Sequence, residues 1–331
     1  MNLKERIELM KNLGDYLKED NDEWKEIKRR AFENNGWFTI DFIDLAVKNI
    51  IQYYLDPIKL NEWTAHYHLD DNIVPKKVGI VMAGNIPLVG FHDFLTVFIS
   101  GHRQIIKMSS KDNILLKHLV HILILKEPGV SNFVIFADRL SGCDAYLTTG
   151  SNNTSRYFEY YFGKYPSIIR KNKTSVALLS GDETLSELEK LADDICFYFG
   201  LGCRNVTKLL VPRNYNFEPL LNSFSKYSYF TDHKKYRNNF DYYLTLQIMN
   251  NQYYMTNQVV LFIEKGELFS PISQVYYEFY DDGEVARKNI SLNTDIQCLV
   301  GNEFIFFGET QKPGLFDYAD KEDTMAFLLS I

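Results

Sequence analysis

The sequence of 331 residues lacks the features that mark secreted, membrane and metal-binding proteins. It has four cysteines with no C-x-x-C pair, and its N-terminus has no apolar signal core, which favours a reduced protein of the cytoplasm over a secreted one. No apolar run approaches the roughly 18–20 residues of a membrane-spanning helix. The seven histidines form no set with zinc-ligand spacing, so we expect no metal site.

The net charge has the wrong sign for a nucleic-acid partner. Asp and Glu number 43 against 36 Lys and Arg, which gives a formal charge of −7, whereas nucleic-acid binding favours a basic face. The hydrophobic content of 46% is ordinary for a globular enzyme. The 22 tyrosines and 24 phenylalanines suit a well-packed core and are compatible with an apolar channel.

Strand and helix patterns alternate along most of the chain. Residues 1 to about 70 have helical periodicity. Strand-like apolar runs follow at 77–83, 104–107, 133–136 and 145–149, with helical runs at 87–100 and 114–125. A second set has strands at 175–179, 208–212 and 259–263 and a helix at about 183–199. This alternation predicts an α/β protein with mostly parallel sheets.

The same pattern suggests three segments. We expect a helical N-terminus and a first α/β domain at 1–172, and a second α/β domain at 173–310. We expect the last segment, 311–331, to dock back on the body of the protein, because it mixes charged and apolar residues.

One cysteine has the neighbours of a reactive thiol. Cys203 follows Gly200 and Gly202 and precedes Arg204. Glycines let backbone N–H groups approach a small reactive centre, and an adjacent guanidinium favours the thiolate, which is the nucleophile. Cys203 is therefore a candidate for covalent catalysis, with Cys196 of the predicted helix as the alternative.

Further candidates lie at the ends of predicted strands. Asn85, Lys107 and the Gly150-Ser151 turn each follow a strand of the first domain, and ligands bind at the carboxyl ends of parallel strands. Glu267 begins a Glu-Leu-Phe-Ser-Pro segment after the strand at 259–263. Each also has a plain structural interpretation: a turn asparagine, a solvated strand end, a common glycine turn or a surface charge.

The order and spacing of these segments resemble the aldehyde dehydrogenase superfamily, and most closely its LuxC-like acyl-CoA reductase branch. The likeness runs from about residue 78 to the C-terminus. It implies an aldehyde-dehydrogenase-like fold, with a Rossmann-type nicotinamide-cofactor domain within 1–172 and a catalytic domain at 173–310.

The resemblance also implies roles for individual residues. Cys203 matches the catalytic thiol, and Asn85 matches the asparagine that forms the oxyanion hole with the N–H of the nucleophile. Lys107 would contact the adenosine ribose, and the Gly150-Ser151 turn would open a helix beneath the pyrophosphate. Glu267 would hold the nicotinamide ribose. The cofactor-binding residues implied in this way are Lys107, Ser109, Ser110, Gly150, Ser151 and Glu267.

Three departures from the superfamily pattern refine the prediction. The hydrolytic members carry a glutamate where residues 168–173 have no carboxylate, which argues against oxidation of aldehydes to acids. Ser110 stands where many NAD-preferring members have an acidic residue, so NADPH is favoured, with NADH as the alternative. The chain is also shorter than typical members, which leaves open whether it forms a homo-oligomer.

The sequence therefore predicts a cytoplasmic, NADPH-dependent reductase that converts a fatty acyl-CoA or acyl-carrier thioester to an aldehyde through acyl-Cys203. Two alternatives remain. One is a non-reducing subunit that holds an acyl group on Cys203 and passes it to a partner. The other is a phosphate-activated acyl reductase of the glutamyl- or aspartyl-phosphate kind.

Overall fold

A computed structural model describes residues 1–331, the side chain of Asn152 excepted. The helices are α1 (Leu3–Glu19), α2 (Asp22–Asn34), α3 (Ile40–Asn49), α4 (Pro57–His66), α5 (Phe91–Ser100), α6 (Leu115–Lys126), α7 (Asn152–Phe162), α8 (Leu185–Cys196), α9 (Phe217–Ser223), α10 (Lys234–Met249), α11 (Gly283–Ser291) and α12 (Thr324–Leu329). The strands are β1 (Lys77–Val81), β2 (Arg103–Lys107), β3 (Val134–Phe136), β4 (Ala145–Thr149), β5 (Ser167–Arg170), β6 (Thr174–Leu178), β7 (Val206–Pro212), β8 (Met255–Thr256), β9 (Leu261–Glu264), β10 (Gln274–Tyr280) and β11 (Ile296–Val300).

The chain divides into two compact units. Unit 1 comprises Met1–Asn172 and Pro313–Ile331, and unit 2 comprises Lys173–Lys312. Unit 1 is therefore built from two separate stretches of sequence, whereas unit 2 is one uninterrupted stretch.

The sheet of unit 1 has the strand order β3-β2-β1-β4-β5, and all its neighbouring strands are parallel. This is the order of doubly wound nucleotide-binding folds, in which ligands bind at the carboxyl ends of the strands where the order reverses. Here the reversal lies between β1 and β4. The α/β class predicted from the sequence is confirmed, although the short strand β5 was not predicted.

The helices of unit 1 bury their apolar faces in one large core. Helix α1 begins with a capping box, in which the side chain of Asn2 accepts the N–H of Glu5 and the side chain of Glu5 accepts the N–H of Asn2. Met10, Leu13 and Leu17 are buried in this core, and each contributes roughly 1.5–3 kcal/mol by leaving water. The helical character predicted for the N-terminal residues is confirmed.

A buried ion pair joins three elements of unit 1. The guanidinium of Arg170, at the end of β5, donates to Asp93 of α5 at 2.6 Å and to the hydroxyl of Thr324 of α12 at 2.8 Å. Residues 313–331 thus return to unit 1, where Leu315, Met325 and Leu328 belong to its core.

The sheet of unit 2 has the order β11-β6-β7-β10-β9-β8 and is parallel except for the edge strand β8. Strands β6, β7 and β9 overlap the predicted runs, whereas β8, β10 and β11 were not predicted. The single helix predicted at 183–199 is wrong at its end, since α8 stops at Cys196. Tyr198 and Phe199 then adopt left-handed backbone conformations that no α-helix contains.

Candidate active site

A tight turn between α8 and β7 carries Cys203. On the way to it, Tyr198 (φ +54°), Phe199 (φ +57°) and Gly200 (φ +74°) are all left-handed. The left-handed region costs roughly 1–2 kcal/mol for each of the two residues with a Cβ. Such strain persists only where the surrounding structure imposes it, and it clusters at functional sites.

Aromatic packing around Phe199 holds this strained segment. The ring of Phe199 is buried, and its centroid lies 4.6 Å from Phe230, 4.4 Å from His233 and 5.6 Å from Tyr236. Aromatic pairs at these distances contribute about 0.5–1.5 kcal/mol each beyond the area they bury. The packing therefore offsets the strain and fixes the direction in which the chain enters the cysteine turn.

The side chain of Asn205 holds the cysteine turn in place by hydrogen bonds. Its side chain is fully buried, its Oδ1 accepts the N–H of Gly202 at 2.8 Å, and its Nδ2 donates to the carbonyls of Asp194 (3.0 Å) and Phe197 (2.9 Å). These carbonyls lie at the C-terminal end of α8, where helix carbonyls lack intrahelical partners. One amide thus ties the end of α8 to the residue before Cys203.

A hydroxyl on the neighbouring strand fixes the Cys203 peptide. The Oγ of Ser175, on β6, donates to the carbonyl of Cys203 at 3.1 Å and accepts the N–H of Cys298 of β11 at 3.2 Å. The N–H of Ser175 donates to the carbonyl of Asn205 at 3.2 Å. The thiol is thereby held on a backbone of defined orientation, as covalent catalysis with a backbone oxyanion donor requires.

Burial separates Cys203 from the other thiols. Of the four cysteines, all of which the structure describes, Cys203 is half-buried and the other three are buried. Burial raises the pKa of the Cys143, Cys196 and Cys298 thiols, so these remain protonated and unreactive. Arg204 donates to the sulfur of Cys298 at 3.5 Å, so its cation lies at that neighbouring thiol.

Glu267 lies on an exposed loop that is tied to the start of β7. Its carboxylate is 62% exposed and pairs with Lys265 at 2.5 Å. The hydroxyl of Thr207, four residues after Cys203, donates to the carbonyl of Leu268 at 2.7 Å. The loop and the cysteine turn are therefore anchored to the same end of one strand.

Lys208 provides the second tie between this loop and β7. Its side chain is 1% exposed, and its Nζ donates to the carbonyl of Lys265 and to Glu278, the latter at 2.9 Å. A small cavity of about 20 Å³ lies nearby, lined by Gly200 and Thr207 on one side and by residues 270–274 on the other. Its volume suits one water molecule.

In unit 1, Asn85 lies in the turn that follows β1. The N–H of Met82 donates to the carbonyl of Lys107 at 3.0 Å, which joins the ends of β1 and β2. Leu88, at φ +55°, ends the turn, and its N–H donates to the buried carboxylate of Asp112 at 2.9 Å. Asn85 itself is half-buried.

Lys107, Ser109 and Ser110 form the end of β2 and the turn after it. Lys107 and Ser110 are exposed, and Ser109 is half-buried. The Oγ of Ser109 accepts the N–H of Lys111 at 3.2 Å, and its carbonyl accepts the N–H of Asp112 at 3.2 Å. Two of the three candidate cofactor residues thus offer polar groups to solvent at the strand end.

The Gly150-Ser151 turn leads from β4 into α7. A Cβ on Gly150 would lie 2.9 Å from Phe158 and 3.2 Å from Thr154, so glycine is required for this close approach. Ser151 is the N-cap of α7, and its Oγ accepts the N–H of Thr154 at 3.3 Å. A helix N-terminus that follows a glycine turn is suited to a phosphate group.

The structure brings the candidates together within each unit. Asn85 and Gly150 follow β1 and β4, and Lys107 is the last residue of β2; these three strands are neighbours in the sheet of unit 1. In unit 2, the turn that carries Cys203 and the loop that carries Glu267 are both anchored to the start of β7. The sequence interpretation missed Asn205, Ser175 and Asp112, although an asparagine two residues after a candidate nucleophile is a turn signal.

The described residues contain neither a metal-binding cluster nor a membrane-spanning helix. No group of three or more His, Cys, Asp or Glu side chains there could hold a metal ion. No helix among them is both long and apolar enough to cross a membrane.

Comparisons of the fold point to one class of solved structures. The aldehyde dehydrogenase from Bacillus cereus, in complex with NAD+, matches with a TM-score of 0.59 and 16% identity over 89% of this chain and 70% of that one. Aldehyde dehydrogenase 21 from Physcomitrella patens, in complex with the reaction product succinate, matches with a TM-score of 0.63 and 14% identity over 91% and 74%. The aldehyde dehydrogenase KauB from Pseudomonas aeruginosa matches with a TM-score of 0.59 and 12% identity over 91% and 72%.

These likenesses show that the chain has the aldehyde-dehydrogenase fold, as the sequence predicted. The sequence itself matches no protein-family model and no curated protein.

Proposed function

We propose that this chain reduces a fatty acyl thioester to an aldehyde with NADPH, through an acyl group carried on Cys203. The observation that carries the proposal is a half-buried thiol on a turn whose backbone is locked by Asn205 and Ser175. On an aldehyde-dehydrogenase fold, such a thiol supports an aldehyde oxidoreductase as the broader class. The thioester substrate is the finer part of the proposal.

The candidate cofactor residues of unit 1, with Glu267 of unit 2, suit a nicotinamide dinucleotide. A Cβ on Gly150 would press on Phe158 and Thr154 of α7, so the glycine lets the turn pack closely on this helix, and Ser151 opens the helix whose N-terminus would attract a pyrophosphate. The exposed Lys107 would contact the adenosine ribose with Ser109 and Ser110 beside it, and Glu267 would hold the nicotinamide ribose. When bound, the reduced nicotinamide supplies the hydride that releases the acyl group as an aldehyde.

The chain's own chemistry is thiol exchange. The Cys203 thiolate attacks the acyl carbonyl, a new carbon–sulfur bond forms, and the bond to the CoA or carrier sulfur breaks. The leaving thiolate takes up the proton that Cys203 released. Thiolates of similar basicity exchange readily, so no strong general base is needed.

Two donors are assigned to the oxyanion of this step. They are the backbone N–H of Cys203 and the side-chain amide of Asn85. Loss of one such donor raises a barrier by about 3–4 kcal/mol. We assign Ser175 and Asn205 no contact with substrate, because their hydrogen bonds go to the backbone of the cysteine turn.

Release as an aldehyde, not hydrolysis to an acid, follows from residues 168–173, which have no carboxylate to activate water. In the structure Arg170 of this stretch is buried and bonded to Asp93 and Thr324, so its role is structural. Ser110 puts no negative charge beside a 2′-phosphate, which supports NADPH over NADH.

The test is consumption of NADPH and NADH by the purified protein with acyl-CoAs of increasing length, alongside Cys203→Ala. Cys196→Ala is the matched control, because Cys196 is buried at the end of α8. We expect NADPH oxidation with aldehyde formation in the wild type and in Cys196→Ala, and none in Cys203→Ala.

Other results lead to other functions. A Cys203-dependent acyl-enzyme by intact mass, without cofactor oxidation, would identify an acyl-holding subunit. Turnover of short polar acyl phosphates in preference to long acyl-CoAs would identify a phosphate-activated reductase. Full activity in Cys203→Ala would overturn the acyl-cysteine chemistry altogether.

A further inference from the structure

We infer that Asp112 is a positioning residue for Asn85: the turn at residues 109–112 braces the Asn85 turn on both sides. The inference rests on the proposed function for its catalytic consequence, because it assigns Asp112 an effect on acyl transfer through Asn85. The brace itself is a feature of unit 1 alone.

The first contact follows Asn85 in the chain. Leu88 has a left-handed backbone, which is unfavourable for a residue with a Cβ. Its N–H donates to Oδ2 of Asp112 at 2.9 Å, and both residues are 5% exposed. A hydrogen bond to a buried carboxyl stabilises the Leu88 N–H in this position and so holds the left-handed conformation.

The second contact precedes Asn85. A Cβ on Gly84 would lie 2.7 Å from both Cβ and Oγ of Ser109 and 3.1 Å from the backbone nitrogen of Asp112. The backbone on either side of Asn85 therefore touches the same four-residue turn. Moving that turn must move Asn85.

Asp112 is suited to this role by its own surroundings. Its N–H donates to the carbonyl of Ser109, so the carboxyl and the turn move as one piece. Burial raises the pKa of the Asp112 carboxyl to about 6, against the lowering effect of the N–H groups of Leu88 and Leu115. The Leu88 N–H lowers this pKa because it stabilises the ionised carboxylate.

The consequence concerns acyl transfer more directly than cofactor binding. An oxyanion donor must lie within a few tenths of an ångström of its productive place, and a shift of about 1 Å can cost on the order of 100-fold in rate. Acyl transfer to Cys203 needs no cofactor in the proposed mechanism. Its rate without cofactor therefore reports on the thiol and its oxyanion donors, Asn85 among them, and not on cofactor binding.

The experiment compares Asp112→Ala, Asp112→Asn, Asn85→Ala and the double variant Asp112→Ala/Asn85→Ala. The readout is the single-turnover rate of acyl-enzyme formation from a long-chain acyl-CoA, followed by intact mass. We expect Asp112→Ala to slow acylation about 10- to 100-fold. Asp112→Asn should retain most of the rate, since an amide oxygen can accept the Leu88 N–H.

The double variant distinguishes positioning from a general loss of structure. It should be no slower than Asn85→Ala, because Asp112 then has no donor left to position. Multiplicative losses, or a folded Asp112→Ala with the wild-type acylation rate, would overturn the inference. Asp93→Asn, another buried carboxylate of unit 1, is the control and should lower stability without changing the rate of the folded protein.

A second readout does not depend on the chemistry. Amide hydrogen exchange of residues 84–90 should accelerate in Asp112→Ala but not in Asp112→Asn or Asp93→Asn. If the wild type forms no acyl-Cys203, the proposed function fails and exchange alone decides whether the brace exists. Unchanged exchange in Asp112→Ala would reject it. If Asp112→Ala does not fold, Gly84→Ala, which pushes against Ser109, should give the same acceleration.

Discussion

The side-chain oxygen of Asn205 accepts the N–H of Gly202 at 2.8 Å, so the residue before the cysteine is held by the residue two places after it. The same side chain donates to three carbonyls at the end of α8, those of Asp194, Ile195 and Phe197. Cys203 therefore sits on a turn whose shape is set from within unit 2.

Replacement of Asn205 tests how much its side chain stabilises the cysteine turn. Asn205→Asp keeps the acceptor for Gly202 but loses both donors and places a buried carboxylate against these carbonyls. We expect the free energy of unfolding to fall by about 3–5 kcal/mol, the usual result of an uncompensated buried charge. Urea denaturation measures it, with the exposed Asn238→Ala of α10 as control; equal stability of the two variants would contradict the assignment.

The left-handed backbone at Gly200 gives a second prediction. Gly200→Ala should destabilise the protein by about 1–2 kcal/mol, because φ is +74° there and a Cβ disfavours that region. Gly266→Ala is the matched control, since Gly266 has open space around its Cβ position and no left-handed φ. Thermal unfolding should show a lowered midpoint for Gly200→Ala only. Similar midpoints for the two variants would show that a Cβ at residue 200 causes no backbone strain.

Lys208 connects the Glu267 loop to β7, so its loss should act on the cofactor. Lys208→Met removes the donor to Lys265 and Glu278 while keeping the buried length of the side chain. If Glu267 holds the nicotinamide ribose, KM for the cofactor should rise about tenfold, equivalent to roughly 1.4 kcal/mol. Steady-state kinetics measures this KM, with Lys288→Met, at an exposed lysine, as the control. An unchanged KM in Lys208→Met would show that the Glu267 loop takes no part in cofactor binding.

The buried carboxyl of Asp194 should make the free energy of unfolding depend on pH. Burial raises the pKa of its carboxyl from 3.8 to about 6, although the N–H of Gly308 and the N–H and hydroxyl of Thr310 lower it. A carboxyl with a raised pKa in the folded state contributes stability below pH 4, which is lost as the pH rises through 6. A shift of about two units corresponds to roughly 3 kcal/mol.

Urea denaturation of the wild type and of Asp194→Asn between pH 4 and 7 measures this contribution. The stability of the wild type relative to the variant should fall as the pH rises over that range. A constant difference would show that the donors around Asp194 keep its pKa near that of an exposed carboxyl.

The strand ends were predictable because each pairs a short apolar run with a polar turn. That pattern located Asn85 and Gly150 after β1 and β4, and Lys107 at the end of β2. Strand β10 was missed because its seven residues, Gln274–Tyr280, mix tyrosines with Gln and Glu and lack a bounded aliphatic run. Strand β5 was missed because only two of its residues are apolar and they stand between a serine and an arginine, so no apolar run marks it.

The supporting residues of the candidate site were hidden for a different reason. Asp112 and Asn205 are polar residues that normally mark exposed turns, and only tertiary packing buries them. The left-handed Tyr198 and Phe199 continue a helical pattern of side chains, so nothing local signals the break. Buried polar contacts and backbone strain depend on distant parts of the chain, which local patterns do not report.

The division of unit 1 into two stretches has a consequence for synthesis on the ribosome. Residues 173–312 are contiguous, so unit 2 can begin to fold during synthesis without help from residues 313–331. Arg170, by contrast, can meet Asp93 early but must wait for Thr324, which is made only after the whole of unit 2. Unit 1 therefore starts to form before unit 2 is made and is completed by α12 after it.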